Sequence, residues 1–192
     1  MSIQSRRERE RAEREKLIVT AARELAEAEG WDAVTTRRLA EQVEYSQPVL
    51  YSHFAGKDAI MAAVAVEGFA DLGEALAAAR ARVAAPEALA AVAETYTSFA
   101  ERRPALYDAM FSQAVDLPFA TADAPEPLHT AFNEIVEAVR PHAGAAHPAL
   151  VTETFWAALH GLATLTRGRR LPRHAHDDRL ALLLARFTRA PD

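Results

Sequence analysis

The chain contains no cysteine, and that absence closes several chemistries. Disulfides, thiolate metal sites and cysteine nucleophiles are excluded, and the composition suits a reducing cytoplasm. Glycine is scarce as well, with seven residues in 192. The glycines form no phosphate-cradling loop, and neither a nucleophile elbow nor an HExxH motif occurs. An enzyme is therefore not expected, and no cofactor is implied. No apolar run approaches the roughly 18 residues that a membrane-spanning helix needs. The start, Ser5 to Arg11, lacks the apolar stretch of a secretion signal. A cytoplasmic protein with no membrane partner is the expectation.

An excess of basic charge is also missing. Lys and Arg number 22 against 27 Asp and Glu, a net charge of −5. Residues 1–57 are neutral, with ten charges of each sign, and the remainder carries the whole acidic surplus. Any affinity for nucleic acid must then come from placed contacts rather than from bulk field.

What the chain does have is helical periodicity. Half of its residues are hydrophobic, enough for a large core, and a chain of this size buries roughly 70% of its unfolded surface. No strand alternation persists, and no internal repeat occurs. Residues 6–29 read as one helix, with Leu17, Ala21, Ala22 and Leu25 as its apolar stripe and Gly30 as its stop. Its charged first half has two readings: a solvated helix end, or an arm that touches phosphates or the minor groove. Further helices are expected over 58–82, from Pro86 to 103, from Pro104, over 128–140, 149–167 and 177–188. Loops are expected over 116–127 and 141–148.

Residues 35–57 carry the most functional information. Thr35 or Thr36 can cap a short helix whose buried face is Leu39, Ala40 and Val43. Ser46 can cap a second short helix, with Pro48 in its first turn and Leu50 and Phe54 four apart. The other side chains of that second helix, Gln47, Val49, Tyr51, Ser52 and His53, can donate, accept and touch a methyl group without a large net charge. Two short helices joined by a tight turn, the second with such a face, describe a helix-turn-helix with a major-groove reader.

At these residues the chain resembles the tetracycline-repressor (TetR/AcrR) family of bacterial transcription regulators. The pattern includes Ala21-Ala22, Leu25, Glu29-Gly30-Trp31, Thr35, Leu39-Ala40, Leu50-Tyr51, His53-Phe54 and Lys57, over about 45 residues. The turn departs from it, with Glu44 where the family usually has Gly. A left-handed backbone there would cost Glu roughly 1 kcal/mol, so a distorted turn is expected. The resemblance implies DNA contacts from Thr36, Arg37, Ser46, Gln47, Pro48, Val49, Tyr51, His53 and Lys57. Trp156, His160 and Gly161 resemble the Trp-His-Gly signature of one C-terminal subfamily.

The fold class implied is all-α. An N-terminal three-helix helix-turn-helix DNA-binding domain (1–57) precedes a C-terminal helical ligand-binding and dimerisation domain (58–192). In the family, the C-terminal part holds a small-molecule pocket. The candidates here are Tyr96, Phe99, Tyr107, Phe111, Phe132, Trp156 and His160, which would suit a mainly apolar effector. The last two helices form the family's dimer interface. The apolar candidates are Val151, Phe155, Leu159 and Leu162, then Leu180, Leu183, Leu184 and Phe187. The function implied is a homodimeric repressor, released from a near-palindromic double-stranded DNA operator by a small molecule. The alternative is a non-DNA-binding small-molecule or lipid carrier of the same all-α shape. His174 and His176 beside Asp177 and Asp178 suit a helix cap better than a metal site, so no metal is expected.

Overall fold

The fold is that of a computed structural model, which describes residues 3–111, 115, 117–119 and 121–188. Among these residues there are nine α-helices, four short 3-10 turns and no strand, as the all-α expectation required. The helices are α1 (Ile3–Glu29), α2 (Thr36–Gln42), α3 (Gln47–His53), α4 (Lys57–Ala81), α5 (Ala88–Arg102), α6 (Pro104–Phe111), α7 (Glu126–Val139), α8 (Pro148–Arg167) and α9 (His176–Phe187). Of the loop expected over 116–127, residues 116 and 120 lie outside the described set.

Two compact units divide the described residues. One draws on Met1–Gly68 and Arg103–Asp123, the other on Phe69–Arg102 and Ala124–Asp192. Each unit thus draws on two separate stretches of the chain. The first twelve residues of α4 and all of α6 belong with the N-terminal helices.

In the first unit, α1 changes character along its length. Its first half is mostly exposed and carries i,i+4 pairs, Arg6 with Glu10 at 2.7 Å and Arg11 with Glu15 at 2.8 Å. Its second half buries Ile18, Ala21, Ala22, Leu25 and Ala26. Leu17, expected inside, is instead 45% exposed. Adjacent helical residues point about 100° apart, and Ile18 takes the inward place. Leu39 of α2, Leu50 of α3 and Ile60 and Val64 of α4 are also fully buried in this unit. Gly30, at φ 84°, ends α1 in a conformation that a residue with a Cβ rarely adopts.

The second unit is a helical core. Its buried side chains include Leu89, Val92 and Tyr96 on α5, Ala131 and Ile135 on α7, Phe155 and Leu159 on α8, and Leu180 on α9. Gly73 lets α7 come close to α4, since a Cβ there would sit 3.4 Å from the Ala131 backbone. Beside it Arg80 reaches Glu134 at 2.9 Å. Two boundaries differ from expectation because proline is tolerated in a first turn. Pro86 lies in a 3-10 turn (Ala85–Glu87) ahead of α5, and α7 starts at Glu126 and runs through Pro127.

The turn between α2 and α3 keeps its left-handed geometry despite the side chain. Glu44 adopts φ 57°. The Glu44 N–H donates to the Glu41 carbonyl at 3.3 Å, and the Tyr45 N–H to the Ala40 carbonyl at 2.8 Å. This double bond pattern is the Schellman closure of a helix end. The distortion expected from glutamate is absent, because two backbone hydrogen bonds together outweigh roughly 1 kcal/mol of left-handed strain. Glu44→Gly should accordingly stabilise the protein by about 1 kcal/mol in denaturant titration. An unchanged or lowered stability would show that the turn is not strained.

Candidate nucleic-acid interface

Thr35 starts α2: its hydroxyl accepts the Arg38 N–H at 3.2 Å from an extended backbone. Ser46 holds the same position before α3, but its side chain makes no capping bond; its carbonyl takes the Val49 and Leu50 N–H groups. Pro48 fits α3 in the first turn. Leu50 is fully buried, which turns the rest of this short helix outward. Gln47, Pro48, Val49, Tyr51 and Ser52 are all exposed.

The hydroxyls of Thr36 and Tyr51 lie 3.3 Å apart, joining α2 to α3. Two hydroxyls this close at an exposed surface can converge on one phosphate oxygen. Arg37 is exposed and pairs with Glu41 at 3.0 Å. Such a surface pair is worth little, so the guanidinium can exchange it for a phosphate or a guanine.

His53 and Lys57 are placed differently from the others. The His53 side chain is only 6% exposed, with Nδ1 3.3 Å from the Glu15 carboxylate of α1. Burial alone would raise the Glu15 carboxyl, but the hydrogen bonds from His53 and Arg11 outweigh it and hold the group below its ordinary range. Lys57 donates its ammonium to the Trp31 carbonyl. Both residues brace α3 and the start of α4 within the first unit.

A second polar cluster lies in the second unit. The Trp156 indole N–H donates to the Tyr96 hydroxyl at 3.0 Å, and that hydroxyl is 3.5 Å from His160 Nδ1. Tyr96 is fully buried, and the Phe132 ring stands edge-on to Trp156 at 6.4 Å. Burial, with a smaller push from Arg167, lowers the His160 pKa and favours neutral imidazole. Phe99 is buried in the same unit. Tyr107 and Phe111 belong to the first unit, where their rings tilt together at 4.7 Å. Among the described residues no group of three or more His, Asp or Glu could hold a metal ion. No helix there is long and apolar enough to cross a membrane.

The apolar candidates on α8 and α9 divide by burial. Phe155, Leu159 and Leu180 are interior to the protomer, with Phe155 packed on Phe187 at 4.9 Å. Val151, Leu162, Leu183, Leu184 and Phe187 keep partial exposure. Leu150, Leu165 and Leu182, outside the candidate set, are 61%, 38% and 60% exposed. The signal was present in the outward stripe Leu150, Thr154, Ala157, Gly161, Leu165 at 3, 4 spacing. A Cβ at Gly161 would meet nothing within 4 Å in the protomer.

Helix-turn-helix geometry at one end of an all-α chain defines a class of DNA-binding regulator, and known proteins agree. Residues 18–64 match the family of bacterial regulatory proteins called the tetR family. Residues 89–187, just over half the chain, match the tetracyclin repressor-like C-terminal domain. The chain belongs to this family, whose members are transcription regulators and not enzymes. It is 32% identical over 102 residues to the uncharacterized HTH-type transcriptional regulator YobS of Bacillus subtilis, covering 53% of each chain. It is 44% identical over 50 residues to the class D tetracycline repressor protein of Escherichia coli, 26% of this chain and 23% of that one. The chain thus aligns with about half the length of YobS and about a quarter of the tetracycline repressor. A solved Rhodococcus sp. RHA1 protein of unknown function shares the fold at TM-score 0.76 and 25% identity, over 91% of this chain and 93% of that one.

Proposed function

We propose that the chain is a homodimeric, effector-responsive transcriptional repressor that reads a near-palindromic operator through α3. One observation carries the reading. Gln47, Val49 and Tyr51 stand exposed on a helix that the buried side chains of Leu50 and His53 anchor from behind. Gln47 can pair bidentately with adenine, Val49 can touch a thymine methyl, and Thr36 with Tyr51 can hold a phosphate. His53 and Lys57 support that surface as well as lying close to it. Two-fold symmetry would set two such helices about 34–36 Å apart, or somewhat more. Gln47→Ala should cost about 1–3 kcal/mol at one operator position and relax discrimination there. Duplexes substituted position by position measure this in gel shift; an equal loss at every position would reject the role.

The dimer face is the exposed side of α8 and α9, with Leu150, Leu165 and Leu182 at its centre and Val151, Leu162, Leu183, Leu184 and Phe187 at its margin. The open space before Gly161 suits close approach of a partner helix. Leu182→Glu is the informative change, since that side chain is 60% exposed and its loss leaves the protomer core intact. Sedimentation should show a folded monomer. A dimer of unchanged stability would move the interface elsewhere.

The effector belongs to the second unit, where Trp156, His160 and Gly161 resemble the signature of the Trp-His-Gly subfamily. The Tyr96–Trp156–His160 cluster beside Phe99 and Phe132 suits a mainly apolar or aromatic molecule, oriented by the tyrosine hydroxyl or the neutral imidazole. A hydrophobic metabolite that raises the melting temperature should also weaken operator binding, because the two equilibria are linked. A stabilising ligand that leaves DNA affinity untouched would remove the inducer role.

A further inference from the structure

Residues 27–31, where α1 ends and a 3-10 turn begins, reach three other elements of the first unit. The Glu27 carboxylate accepts the backbone N–H of Ala105 at 3.2 Å and of Leu106 at 3.0 Å. These are the second and third residues of α6, and their N–H groups are among the four that a helix start leaves unsatisfied. The Trp31 indole N–H donates to the Ala105 carbonyl at 2.7 Å. The Trp31 carbonyl in turn accepts the Lys57 ammonium at the start of α4. Glu29 holds Arg38 of α2 in a two-bond pair at 2.7 and 2.8 Å. Close packing against α4 also holds α6. A Cβ at Gly68 of α4 would lie 2.8 Å from Met110 and 2.9 Å from Leu106. The chain leaves the first unit after Gly68 and returns to it with α6.

We propose that α6 is a working part of the DNA-binding unit, and that Glu27 and Trp31 are positioning residues that hold it there. Docked α6 fixes Trp31. Trp31 fixes Lys57, and Glu29, two residues after Glu27, fixes Arg38. The start of α4 and the helix ahead of the reader therefore share one support with α6. The inference rests on the operator reading proposed above. Operator affinity should then scale with the fraction of molecules whose α6 is docked, because a binding-competent state populated at fraction f weakens apparent affinity by that fraction.

The test uses the full chain and a duplex enriched by the wild-type protein from a randomised pool. Glu27→Ala removes both bonds to α6. Trp31→Phe keeps an aromatic ring and loses only the N–H donor. Ile135→Val, a mild core change in α7 of the second unit, is the comparison. In both first-unit variants the α6 amides should exchange hydrogen faster, and the duplex should bind about tenfold more weakly, as when about a tenth of molecules stay docked. Ile135→Val should melt lower yet bind as wild type. If Glu27→Ala does not fold, Trp31→Phe decides alone. Faster α6 exchange with unchanged affinity would overturn the proposal. So would unchanged exchange, or an equal affinity loss in Ile135→Val. A wild-type protein that enriches no duplex would remove the operator reading, and this inference with it.

Discussion

Holding a seven-residue helix in one orientation is the constraint on which the rest of the first unit depends. A helix as short as α3 (Gln47–His53) is not stable alone, since isolated helices shorter than about 12–15 residues are marginal in water. Its order comes from what it touches. Leu50 is sunk in the core, His53 is tied to Glu15 of α1, and Tyr51 meets Thr36 of α2. The Schellman turn at Glu44 sets the direction in which α3 leaves α2. With no cysteine in the chain, these non-covalent contacts and the α1 core behind them carry the whole task.

The same economy explains the charge pattern. The proposed DNA-facing set is mostly amide, hydroxyl and apolar, and the cations in and beside it have protein partners: Arg37 with Glu41, Arg38 with Glu29, Lys57 with the Trp31 carbonyl. An interface of this kind gains its selectivity from base edges and shape, while non-specific attraction to DNA stays modest. In the second unit a different polar device recurs. The half-buried Trp156 and His160 meet the hydroxyl of fully buried Tyr96, which lowers the cost of placing that polar atom in an apolar core.

Much of this was legible in the sequence. Helices α2 and α3 announced themselves through Thr35, Pro48 and the 3, 4 spacing of Leu39, Ala40 and Val43. Pro104 marked the start of α6 for the same reason. The positions that spacing left open share a cause. In Leu17-Ile18-Val19 three adjacent apolar residues fit a stripe equally well, and packing buried Ile18 and Val19 and left Leu17 outside. On α8, apolar residues lie on two faces, so spacing alone could not separate the core side of Phe155 and Leu159 from the exposed side of Leu150 and Leu165. His53 has a residue type suited to a phosphate or to a carboxylate, and its contact with Glu15 reaches 38 positions back along the chain. The bond from Glu27 to Leu106 spans 79 residues, beyond the reach of any local pattern.

The central claim is that two copies of the chain read two half-sites through α3. Hydroxyl-radical footprinting of a duplex enriched by the wild-type protein tests it most directly. The account predicts two protected backbone segments, related by two-fold symmetry, with centres about one helical turn (about 34–36 Å) apart or somewhat more. A single protected segment, or an even protection along the duplex, would contradict it.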